Sequence, residues 1–125
     1  MGLILLDSSF AIALFTTRDQ HHSAAIGEYS DSHTYIASTV TTIEVMTGAI
    51  ATGAEKIVWP RLKRLVSEFV AVDEPISLEA ARLRSVGGLK TPDAIISATA
   101  QRRGAQLWTF DAKLAKATPG ARLLA

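Results

Sequence analysis

Four aliphatic residues in succession, "LILL" at positions 3–6, run directly into a carboxylate at Asp7. A run with no polar alternation suits a short strand covered on both faces, as in a parallel sheet with helices on either side. "TYIAS" (34–38), "FVAVD" (69–73), "AQLWTF" (105–110) and "ARLLA" (121–125) read as further short strands.

Helical segments fill the intervals. "SFAIALFTT" follows Asp7, and "QHHSAAIGEYS" makes a second, weaker helix. "TVTTIEVMTGAIAT" has helical spacing, with Val40, Ile43, Met46 and Ile50 on one side. "AEKIVWPRLKRLVSE" is helical and should bend or restart at Pro60, which lacks the donor an inner turn needs. Its Trp59, Leu62 and Leu65 lie near one face and read as core, or else as a groove for a partner helix. "SLEAARLRSVG" is stopped by Gly87 and Gly88. "TPDAIISATAQRRG" opens with Thr91 as N-cap and Pro92 at the first helical position, and Gly104 follows its end. "DAKLAKAT" is a last short helix.

Strands alternating with helices predict an α/β fold, a mostly parallel sheet of about five short strands with helices on both faces. At 125 residues the chain suits one domain, spanning 1–125. In open sheets of this kind, sites form beyond the carboxyl ends of the strands. Asp7 follows the first strand, Asp111 comes soon after "LWT", Glu44 lies in the helix after the second strand, and Asp93 opens a helix. All four can face one rim.

Taken singly, Asp7, Asp93 and Asp111 each sit at a helix start, where a carboxylate caps free backbone donors. Glu44, four residues after Val40, stands at the margin of an apolar stripe, where a charge needs a partner. Together, converging carboxylates repel one another unless a cation sits among them. Oxygen ligands, with no cysteine in the chain and no well-placed histidine, suit Mg²⁺ or Mn²⁺. Such an ion supports phosphodiester hydrolysis.

Charge is lopsided. Residues 1–55 hold one basic residue, Arg18, against six acidic, and residues 56–125 hold twelve basic against six acidic. The second half could therefore contact a polyanion, with Lys90, Arg82, Arg84 and Lys113 as candidate phosphate contacts. His21 and His22 are adjacent, diverge by about 100° on a helix and cannot share an ion; with His33 they read as surface residues. The chain shows no glycine-rich phosphate loop and no GxSxG elbow. No basic leader or membrane-length apolar run appears, so a cytoplasmic protein that avoids membranes is expected.

"LLDSSFAIALF", "STVTTIEVMTG", "KTPDAIISATA" and "LWTFDAKLAK" together resemble the four motifs of the PIN domain family, in particular its VapC-type toxin ribonucleases. The resemblance implies an α/β/α sandwich and a Mg²⁺- or Mn²⁺-dependent endoribonuclease, often acting on tRNA or rRNA. It also implies a homodimer neutralised by a cognate antitoxin protein. By motif, Asp7, Glu44, Asp93 and Asp111 become the acidic tetrad, supported by the hydroxyls of Ser8 and Thr109. Phe110 stands where the family commonly has a polar or basic residue. Lys113 and Lys116 stand where some relatives carry another acid, so one firmly held ion is expected.

Two other readings compete. In a catalytically silent PIN-like module that binds RNA or protein, the carboxylates would cap helices and nothing more. A receiver-like phosphoacceptor domain would want a second acid beside Asp7, where the chain has Ser8.

Overall fold

The computed structural model describes residues 2–124. Strands β1 (Leu3–Leu6), β2 (Thr34–Ser38), β3 (Glu68–Val70), β4 (Gln106–Thr109) and β5 (Arg122–Leu123) form one parallel sheet in the order β3-β2-β1-β4-β5. Every neighbouring pair is parallel; Leu5 lies opposite Ile36 on one side and Leu107 on the other. The helices are α1 (Ser8–Phe15), α2 (His22–Glu28), α3 (Thr39–Ala51), α4 (Glu55–Leu65), α5 (Glu74–Gly87), α6 (Thr91–Arg103) and α7 (Ala112–Ala117). No helix among the described residues is long and apolar enough to cross a membrane.

Alternation along the strands builds two cores. Ile4, Leu6, Tyr35, Ala37 and Trp108 face a layer that includes Phe10, Ala13, Val45, Met46 and Leu62, from α1, α3 and α4. Leu5, Ile36, Val70 and Leu107 face Ile76, Ala80, Ala94, Ala98 and Leu114, from α5, α6 and α7. Both faces of β1 are therefore covered, which is why its four residues are all aliphatic. The fold is the α/β/α sandwich that the alternation predicts.

Several local expectations need correction. The expected stripe on α3 is buried only in part: Met46 lies in one core and Val40 packs against the other. Ile43 and Ile50 are 65% and 56% exposed, while Thr41, Val45, Met46 and Ala49 are buried. Thr41, Val45 and Ala49 are small and also four apart, so turning them inward lets α3 pack closely. α4 passes through Pro60 without a break, because the bond that proline forfeits would fall on exposed Lys56, where water can substitute. Leu62 is fully buried, Leu65 partly so, and Trp59 remains 36% exposed over Phe69.

α5 starts three residues earlier than the spacing predicts, since the Asp73 side chain accepts from Ile76 N at 3.0 Å and caps it. β3 is correspondingly confined to Glu68–Val70. Thr91 is already helical, and Lys90 holds the cap position with no side-chain bond. α5 and α6 end on Gly88 and Gly104, both left-handed with φ of 66° and 62°.

The histidines are not simple surface residues. His22 Nδ1 lies 2.7 Å from the Ala13 carbonyl, His33 meets Trp108 edge-on, and His21 stacks on Phe110.

Candidate active site

β1 and β4 are adjacent and parallel, so their carboxyl ends deliver Asp7 and Thr109 side by side. Asp7 is 4% exposed and caps α1, its Oδ1 accepting from Phe10 N at 3.0 Å and from the Ser9 hydroxyl. Its Oδ2 accepts from the Thr109 hydroxyl. Burial pushes the Asp7 carboxyl above its ordinary pKa, and these hydrogen bonds work against that rise.

Thr109 also joins the first acid to the fourth. While its hydroxyl donates to Asp7, its oxygen accepts from Asp111 N at 3.0 Å. Asp111 caps α7, with Oδ1 accepting from Lys113 N and Leu114 N at 2.9 and 3.2 Å. Glu44 reaches the same rim from the second turn of α3, where the Ser8 hydroxyl donates to its Oε1. Ser8 thus orients Glu44, and α1 supplies a hydroxyl to each of two acids.

Asp93 differs from the other three. It lies in the first turn of α6 yet caps nothing among the described residues, and it is half-buried. Its carboxyl is pushed up by burial first, then by the charges of Asp111, Asp7 and Glu44; Lys90 alone opposes them. The four acids therefore share one electrostatic environment, although they come from four different helices or helix caps.

Among the described residues, however, no group of three acids or histidines is spaced to hold one metal ion. The fit to a hard cation is good in donor chemistry and charge, and incomplete in spacing. Asp93 receives no hydrogen bond, and one oxygen each of Glu44 and Asp111 is unengaged among the described residues.

The candidate RNA contacts separate into two places. Arg84 Nε donates to the Leu89 carbonyl at 3.2 Å and Lys113 Nζ to the Gly88 carbonyl at 3.2 Å, so both flank the loop carrying Lys90 into α6. Arg82 instead pairs with Glu79 and lines a groove between α5 and α6, beside Leu78 and Arg102.

Sequence reasoning missed Ser9. Its hydroxyl donates to Asp7 and accepts from Phe110 N at 3.2 Å, fastening the start of α1 to the end of β4. Only its place two residues after a capping aspartate hinted at this. Phe110, an oddity in sequence, packs parallel to both Phe10 and His21.

Fold and site define a class: a parallel α/β/α sandwich bearing acidic side chains on the carboxyl rim of its sheet. The family model of the PIN domain matches residues 4–118, and the chain belongs to that family. Among solved structures, it is similar to a chain of a toxin–antitoxin complex from Klebsiella pneumoniae, at 29% identity and a TM-score of 0.75, covering 95% of each chain. It also shares its fold with FitAcB from Neisseria gonorrhoeae, at 20% identity and a TM-score of 0.75 over 96% of each chain. The fold recurs in VapC20 from Mycobacterium tuberculosis, a sarcin-ricin loop cleaving toxin, at 19% identity and a TM-score of 0.75, covering 91% of this chain and 94% of that one. No curated protein sequence matches.

Proposed function

We propose that this chain is a metal-dependent endoribonuclease, the VapC-type toxin of a toxin–antitoxin pair, acting in the cytoplasm as a homodimer. The observation that carries this reading is Asp93: a half-buried carboxylate, given no hydrogen bond among the described residues, in the field of three other acids. A structural acid would be capped or paired, whereas an acid awaiting a cation need be neither. The toxin–antitoxin complex from Klebsiella pneumoniae supports the assignment of an antitoxin partner.

Asp7, Glu44, Asp93 and Asp111 would hold Mg²⁺ or Mn²⁺. When bound, the ion supplies a Lewis acid that neutralises a phosphodiester oxygen and makes water easier to deprotonate. The chain's own groups do the rest. Thr109 and Ser9 fix the Asp7 carboxylate in one orientation, and Ser8 does the same for Glu44. Thr109 also sets the backbone of Asp111. Lys90, Arg84 and Lys113 would meet the phosphates of an incoming RNA, with tRNA or rRNA the substrate class proposed.

The test is cleavage of total cellular RNA by purified protein with Mg²⁺, with Mn²⁺ and with chelator. Discrete fragments that need metal and disappear in Asp7→Asn and Asp93→Asn support the reading. That no three acids among the described residues stand at ligand spacing favours a second reading, a silent PIN-like module that binds RNA or protein. Calorimetry separates the two: the nuclease takes up Mn²⁺ and loses that uptake in Asp93→Asn, while the silent module takes up none.

A further inference from the structure

Three aromatic rings lead from the core to the rim of the site. Phe10 is fully buried, and Phe110 packs near-parallel to it, with centroids 6.1 Å apart and planes 21° apart. His21 lies flat on Phe110, with centroids 4.2 Å apart and planes 10° apart. His21 and Phe110 are both half-buried. The ring nitrogens of His21 bond no protein group among the described residues, whereas His22 is spent on the Ala13 carbonyl. No ring nitrogen of His21 is a buried unpaired atom, so its polar edge meets solvent.

The stack is joined to the acids through the backbone of Phe110. Phe110 sits between Thr109, which holds Asp7, and Asp111. Its amide is tied to Ser9, which holds Asp7 as well. Asp19, two residues away, fixes the His21 end by accepting from His21 N at 2.8 Å. A flat, half-buried imidazole with a solvent-facing polar edge, backed by a phenyl ring whose own backbone is tied into the hydrogen bonds around Asp7, matches the needs of an unstacked nucleobase. Single-stranded RNA is recognised through such stacking combined with hydrogen bonds to base edges.

We propose that His21, backed by Phe110, is the platform on which a base of single-stranded RNA next to the cleaved phosphodiester stacks, and that it sets base preference there. The proposal rests on the nuclease reading above. It gives Phe110 a function that a polar residue at that position would not perform: presenting a planar support to the imidazole.

The test is cleavage, with Mn²⁺, of a pool of short single-stranded RNAs of randomised sequence, with the cut ends sequenced. His21→Ala should reduce kcat/KM by about tenfold, the scale of one lost base-stacking contact, and flatten the preference at one position flanking the cut. His21→Trp should restore the rate while changing which base is preferred, because it restores a ring with different edges. Equal rates and the same preference in His21→Ala would overturn the platform and leave the nuclease standing. So would a uniform loss that His21→Trp does not repair, which would make His21 a support for the α1–α2 connection only. No cleavage by the native protein with Mn²⁺ would remove the nuclease reading, and the platform with it.

Discussion

The hydroxyl of Thr109 donates to the carboxylate of Asp7, a residue 102 positions earlier in the chain. β1 and β4 are neighbours in the sheet, so the two strand ends emerge together and one hydroxyl serves two acids. Thr109→Val should leave the buried Asp7 short of a donor while keeping the side chain's shape. We expect a loss of about 1–3 kcal/mol in denaturant unfolding, together with a fall in cleavage. Thr109→Ser should recover most of both, and a neutral Thr109→Val would show that the bond contributes nothing.

Asp93 is expected to trade stability for function. Its carboxylate is held among three like charges with no hydrogen bond from the described residues. Asp93→Asn should therefore raise the melting temperature of metal-free protein by a few degrees while abolishing cleavage. Added Mn²⁺ should raise the native midpoint and leave the variant unmoved, because a ligand stabilises only the state it binds. Scanning calorimetry of both proteins with and without Mn²⁺ decides the matter. A variant less stable than the parent would contradict the charge argument.

Arg103 at the end of α6 makes two bonds to Glu68 of β3, at 2.8 and 2.6 Å. This holds the Glu68 carboxyl below its ordinary pKa. A depressed native pKa means that the unfolded chain binds the proton more readily, so the contribution is present above the unfolded value and fades as pH falls through the native one. Both groups are solvent-exposed, so the effect should be small and screened by salt. In Arg103→Gln, midpoint against pH should run closer to flat through the acid range than in the parent, at low salt only.

α3 offers a direct check on which face is core. Ile43 is 65% exposed, whereas Leu62 of the neighbouring α4 is fully buried. Ile43→Ser should change unfolding free energy by no more than about 0.5 kcal/mol, and Leu62→Ala should cost about 2–5 kcal/mol. Comparable losses at both sites would mean that the apolar spacing of α3 had marked the core after all.

What could be read from the sequence was local. The "LILL" run, the helix between each pair of strands and the aspartates at helix starts follow from backbone periodicity and from the free N–H groups that a helix start exposes. These are properties of a few consecutive residues. Asp7 and Asp111 do cap α1 and α7, and the order of the elements holds throughout. The expectation that Asp7, Glu44, Asp93 and Asp111 can face one rim has the same kind of basis, because parallel strands gather their following loops on one side; the charges of the other three do reach Asp93, and no three acids among the described residues stand at ligand spacing.

The tertiary structure decided whatever depends on distant neighbours. It turned Thr41, Val45 and Ala49 inward in place of Ile43 and Ile50, since the tightness of the α3 contact depends on what lies opposite. It set Ser9 between Asp7 and Phe110, laid His21 on Phe110, and put Asp93 in the field of three acids. Hydrogen bonding, stacking and mutual repulsion act through space at a few ångströms. Residues a hundred positions apart in the chain therefore acquire their roles only when the sheet brings its strand ends together.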